Sequence, residues 1–173
     1  PRPTNAVDGL DTTDPLTSSQ VGGAFVDGVV LNDNHLSISE RFSVSVMNYN
    51  ATDSPYLLDI GRSLVPRSTG FVLDGTFSSD QLVHVEKWSL FSDTEPRTAV
   101  LDVPGAVQDF TLAVYDPQTG LSSLRDNLGM VTTDENGRAT VTFTPDQAGF
   151  YGVAVFRNAF EGTAAEDFTL RLI

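Results

Sequence analysis

The chain has 173 residues and a formal charge of −13, from 23 acidic against 10 basic residues, with 40% apolar composition and no cysteine. That length and apolar content suffice for a packed core, while the missing thiols exclude disulfides, thiolate metal sites, thiol catalysis and covalently held haem. The acidity opposes nucleic-acid phosphates and anionic membranes, leaving cations as the natural small partners, and no apolar run approaches the ~18 residues of a membrane span.

Asp outnumbers Glu 17 to 6, and Lys87 is the one lysine beside nine arginines. Asp favours turns and cation loops whereas Glu and Lys favour helices, so the bias points to strands joined by loops. The chain opens Pro1-Arg2-Pro3-Thr4 without a Met and is expected to be a processed product. Residues 1–20 are polar, with Thr12, Thr13, Thr17, Ser18 and Ser19 among Asp8, Asp11 and Asp14, and read as an extended arm. After Gly22-Gly23 the pattern turns to period two. Leu36, Ile38, Phe42, Val44 and Val46 alternate with Ser37, Ser39, Arg41, Ser43 and Ser45, as in a half-buried strand, and Glu40 marks a bend or bulge.

Val83, Val85, Trp88, Leu90 and Phe91 share the next apolar run. Phe110, Leu112 and Val114 make one strand face, with Ala113 and Tyr115 opposite, and Ala139, Val141 and Phe143 alternate with threonines. Residues 150–156 are apolar on both faces, which predicts a central strand, and Phe168, Leu170 and Leu172 close the chain. Asp116-Pro117-Gln118-Thr119-Gly120 is a turn, and Asn136-Gly137 predicts a two-residue hairpin joining residues 130–133 to 139–144. About ten strands with such separators predict an all-β protein, an antiparallel β-sandwich (Ig-like or jelly-roll-like) with little or no helix. Residues 21–173 are read as one sandwich domain, with a possible sub-boundary at 77–80.

From Val85 onward the chain resembles the pre-peptidase C-terminal (PPC) type of bacterial β-sandwich module, and more broadly Ig-like extracellular modules. The resemblance runs through Trp88-Ser89-Leu90-Phe91, Ala99-Val100-Leu101-Asp102-Val103, and residues 109–116. It continues in Ala148-Gly149-Phe150-Tyr151-Gly152-Val153-Ala154-Val155 and Asp167-Phe168-Thr169-Leu170-Arg171-Leu172. It covers about half the chain and leaves the first half unmatched. It implies a secreted module of the kind that sits behind extracellular hydrolases, some members of which bind calcium or insoluble polymers.

No Gly-x-Ser-x-Gly elbow or His-Glu-x-x-His helix is present, and His35 and His84 read as ordinary loop and strand residues, so no catalytic site is expected. No cofactor is required; calcium is the candidate ion, because it takes oxygen ligands from acidic loops. Asp102, Asp109 and Asp116, at strand ends, are its candidate ligands, with Asp33 in Asn32-Asp33-Asn34 as a second locus. Asn50 heads an Asn-Ala-Thr glycosylation triplet, and Tyr49 and Tyr56 beside it are the candidate contact surface, whereas Trp88 reads as core. The reading is a non-catalytic structural or adhesive subunit of an extracellular or cell-surface assembly. It self-associates or joins other surface proteins through its arm. The alternative is a calcium-stabilised polymer-binding accessory module of a secreted hydrolase.

Overall fold

The computed structural model describes residues 29–31, 59–91, 94–117, 121–123, 127–158 and 164–173, and among them finds strands and no helix. One sheet has five strands in the order β2 (Pro66–Arg67), β4 (Val83–Leu90), β10 (Gly149–Arg157), β6 (Phe110–Tyr115) and β8 (Gly129–Thr132). A second has four, in the order β3 (Phe71–Phe77), β11 (Glu166–Leu172), β5 (Arg97–Asp102) and β9 (Arg138–Phe143). A separate pair joins β1 (Val29–Leu31) to β7 (Leu121–Ser123). All pairings are antiparallel except the short β2, which runs parallel to β4. The sandwich class expected from the alternation is therefore the class observed.

The two sheets meet on the residues that the period-two pattern turns inward. Phe110, Leu112 and Val114 of β6 and Tyr151, Val153 and Val155 of β10 face Ala99 and Leu101 of β5 and Phe168, Leu170 and Leu172 of β11, all buried. Each large side chain so enclosed contributes ~1.5–3 kcal/mol. Trp88 lies wholly inside, its indole edge-on to Phe143 with ring centres 5.7 Å apart. β10 occupies the middle of its sheet and is buried on both faces over most of its length, as its unbroken apolar run requires. The outward side of the four-stranded sheet is instead polar. Thr98 pairs with Thr142 across strands, Thr76 donates to Asp167, and Thr169 donates to Asp74.

One expectation about a connection is corrected. Asn136-Gly137 does not close a hairpin between paired strands, because β8 pairs with β6 in one sheet and β9 with β5 in the other. The turn carries the chain from sheet to sheet. Asp134 organises it: its carboxylate accepts from the Asn136 and Arg138 amides at 2.8 and 3.0 Å, and Gly137 has φ 73° while Asn136 does not enter that region. A left-handed glycine after an Asx turn suits a corner, whereas the expected hairpin needs both central residues there. Residues 78–82 link β3 to β4, and Phe77 before them is part of the buried cluster between the sheets. The arm at 1–20 and the alternating run from Leu36 to Val46 lie outside the described residues.

Candidate functional site

One lateral side of the sandwich is bounded by β3 and by the β2–β4 edge, and there the inward row of β4 changes character. Trp88 and Leu90 are core, but Glu86 and His84 continue the same row with polar side chains. β2 covers β4 only at Lys87 and Trp88. Upstream, side chains from residues 59–65 take the place of a strand. Asp59 Oδ2 accepts from the Leu82 and Val83 amides at 2.8 and 3.0 Å, and Ser63 Oγ accepts from the Lys87 amide at 3.1 Å. Two edge amides of β4, those of Val83 and Lys87, are thus satisfied by side chains and not by a neighbouring strand.

Glu86 is the centre of the cluster, 6% exposed. Arg67 Nε donates to Oε2 at 2.9 Å, Ser63 Oγ donates to the same oxygen at 3.3 Å, and His84 Nε2 lies 3.2 Å from Oε1. Burial opposes the charged carboxylate, but the hydrogen bonds from His84 and Arg67 and the Arg67 charge outweigh it and hold the carboxyl below its ordinary range. The His84 ring sits 5.2 Å from that of Phe168 and 6.3 Å from that of Phe77, and the Arg67 guanidinium lies 4.4 Å above Phe71. Residues 59–65 and β4 enclose an open cavity of about 440 Å³ beside this cluster, edged by Asp80 and Gln81 as well.

A serine, a histidine and a carboxylate in one cluster invite comparison with a nucleophilic triad, and the order of contacts answers it. Activation requires the imidazole between hydroxyl and carboxylate, taking the hydroxyl proton. Here the carboxylate stands in the middle and the Ser63 hydroxyl donates to it. Ser63 also spends an acceptor on the Lys87 amide. The arrangement is suited to fastening residues 59–67 to the sheet edge, with Glu86 as the shared acceptor.

The candidate calcium ligands do not converge. Asp109 and Asp116 flank the six residues of β6 at its two ends, a separation of about 23 Å at the rise of an extended strand, against the ~2.5 Å ligand distances of calcium. Asp102, at the end of β5, is engaged on the outward face, paired with Arg171 and 3.7 Å from Arg138 Nε. Among the described residues no group of three acidic or histidine side chains is arranged to hold a metal. Asp33, Asn50, Tyr49 and Tyr56 lie outside the described residues. Sequence reading passed over Glu86, Arg67 and Ser63, although polar residues at 84 and 86 in the row of Trp88 and Leu90 were a usable sign. It also passed over Arg157, which is buried at the end of β10. Its guanidinium donates to the carbonyls of Ser78, Ser79 and Ala164 and lies 5.6 and 5.4 Å from the rings of Phe77 and Phe110.

No family model and no curated protein matches the chain in sequence. In structure it is similar to the pre-peptidase C-terminal domain of a collagenase from Bacillus anthracis, with TM-score 0.50 and 10% identity over 66% of this chain and 98% of that one. A periplasmic inhibitor of g-type lysozyme from Aeromonas hydrophila follows at TM-score 0.40 and 14% identity, over 66% of this chain and 100% of that one. A surface-associated copper-binding protein from Methylomicrobium album BG8 stands at TM-score 0.40 and 10% identity, over 65% and 99%. The described sandwich therefore has the PPC-type fold that the residues from Val85 onward resemble, and about a third of the chain lies beyond that likeness.

Proposed function

We propose that this chain is a non-catalytic extracellular module, a structural or adhesive subunit of a surface assembly whose sandwich is a scaffold for contacts with other macromolecules. The observation that carries this reading is the order of contacts at Glu86: it engages both Ser63 and His84, so the one Ser–His–Glu cluster among the described residues fastens the edge of the fold. Composition agrees with it, since there is no thiol to serve as a nucleophile and the chain is acidic and poor in lysine. Light scattering and electron microscopy of the full chain test it. Filaments or rings that disappear on trimming residues 1–20 are the expected result. A monomer at every concentration, indifferent to the trimming, refutes assembly.

A second reading has its own support in the likeness to a collagenase's PPC domain, matched over nearly that domain's whole length. On this reading the chain is an accessory module that grips an insoluble polymer, with calcium stiffening its loops through ligands other than the Asp102, Asp109 and Asp116 set. Co-sedimentation with collagen, chitin and cellulose, with and without chelator, tests it, and absence from every pellet rules it out.

A further inference from the structure

Just before β3 the chain runs along the outside of the sandwich. Leu64 and Val65 are 65% and 59% exposed, Pro66 is exposed beside them, and Ser68, Thr69 and Gly70 are exposed in the turn that enters β3. Between them stands Arg67, half-buried. Backbone pairing holds this stretch only at Pro66 and Arg67, opposite Lys87 and Trp88 of β4. Side chains do the rest: Arg67 Nε donates to Glu86 at 2.9 Å, its guanidinium lies 4.4 Å above Phe71, and Ser63 donates to the same carboxylate oxygen at 3.3 Å.

We propose that the Arg67–Ser68 bond is a processing site for an arginine-specific, trypsin-like endoprotease, latched shut by Glu86. Such enzymes take an extended substrate strand and draw the arginine side chain into an acidic pocket. Leu64-Val65-Pro66-Arg67-Ser68 offers that arginine after two aliphatic residues and a proline, which suits the apolar subsites of selective members such as thrombin, with a small residue on the far side of the bond. Exposed turns carrying small polar residues are where chains are nicked. Hydrolysis adds one water across the bond and leaves a carboxylate on Arg67 and an amine on Ser68.

Other arginines are worse placed. Arg97, Arg138, Arg157 and Arg171 lie in longer paired strands of the sandwich. Arg62 is exposed, but Asp59 and Ser63 on either side bind the amides of Leu82, Val83 and Lys87. Gly61 beside it packs so closely that a Cβ would come within 3.2 Å of Val85. The cut at 67–68 also spares the core. Among the described residues, every buried side chain between the two sheets belongs to Phe77 or a later residue, and Phe71 and Leu73 pack against them. Residues 68–173 therefore keep the whole described core and lose only the two residues of β2 from the larger sheets. Whether the module assembles or grips a polymer, the site stands apart from that choice.

Thrombin is the probe. It is expected to cut the full chain at Arg67–Ser68, giving masses for 1–67 and 68–173, while the near-UV signal of Trp88, the single tryptophan, persists. Arg67→Gln is expected to abolish the cut. No cut at that bond, a first cut elsewhere, or loss of the Trp88 signal on cutting overturns the proposal. So does cleavage that begins only at urea concentrations that also abolish the signal, since it would proceed through unfolding of the whole sandwich. Cleavage tracks the fraction of chains in which the segment has lifted, so Glu86→Gln is expected to be cut about tenfold faster. An unchanged rate overturns the latch. If Glu86→Gln itself loses the Trp88 signal, Ser63→Ala takes its place: faster cutting upholds the latch and an unchanged rate overturns it.

Discussion

Replacing Glu86 with Gln or Ala separates the charge of the buried carboxylate from its shape. The native side chain holds Arg67 at 2.9 Å, Ser63 at 3.3 Å and His84 at 3.2 Å, and through Ser63 it secures the segment covering β4. A hydrogen bond to a charged group is worth ~1.5–3 kcal/mol net, and because Arg67 remains partly hydrated some of that is recovered by water. Glu86→Gln keeps an acceptor of the same size, so a loss of ~1–2 kcal/mol is expected; Glu86→Ala strips all three partners and is expected to cost ~2–4 kcal/mol. Urea unfolding reads both as a lower midpoint at constant slope.

The pH dependence gives an independent check. The Glu86 carboxyl is held below its ordinary 4.5. A lowered folded-state pKa contributes stability that is present above the unfolded value and is lost as pH falls through the folded one. The gap between native chain and Glu86→Gln should hold from neutral pH to about 4.5 and close below it. A gap of the same size at the acid end, or no loss in Glu86→Ala, would refute the assignment of Glu86 as the charged centre of the cluster.

Gly137 and Gly105 both have positive φ, 73° and 84°, but a Cβ at 137 would lie 1.9 Å from the Val103 carbonyl oxygen while at 105 it meets nothing within 4 Å. Gly105→Ala therefore carries the conformational cost alone, ~1–2 kcal/mol, and Gly137→Ala ~1–3 kcal/mol more; equal losses in thermal unfolding would deny the clash. Arg157→Met leaves the carbonyls of Ser78, Ser79 and Ala164 without their guanidinium donor. A loss of ~2–4 kcal/mol is expected, with faster hydrogen exchange concentrated near 78–82, and uniform exchange would count against a local clamp. Asp102→Asn removes a partly exposed pairing with Arg171 and Arg138. It is expected to cost under about 1 kcal/mol, and a larger loss would point to a role beyond surface pairing.

The strands were legible because one-sided burial writes itself into sequence at period two. Ala139, Val141 and Phe143 are buried with the intervening residues exposed, and the two-sided run at 150–156 is the central β10. The Glu86 cluster was harder to read, since a polar residue in an inward row looks like surface until its partners are known. Those partners, Ser63 and Arg67, are 23 and 19 residues distant. The Asp triad shows the converse: three carboxylates at regular spacing share strand ends but not one end of the sandwich.

By itself the sequence determined the all-β class, the inward faces of β6, β9 and β11, the two-sided burial of β10, and the burial of Trp88, because alternation and hydrophobicity are local properties of a strand. Which strand pairs with which was decided only in three dimensions. Asn136-Gly137 has the chemistry of a hairpin yet carries the chain between sheets, with β8 paired to β6 and β9 to β5. The same holds for the cluster at the β4 edge. A buried carboxylate is tolerable only where donors converge on it, and that convergence is a property of the folded sandwich.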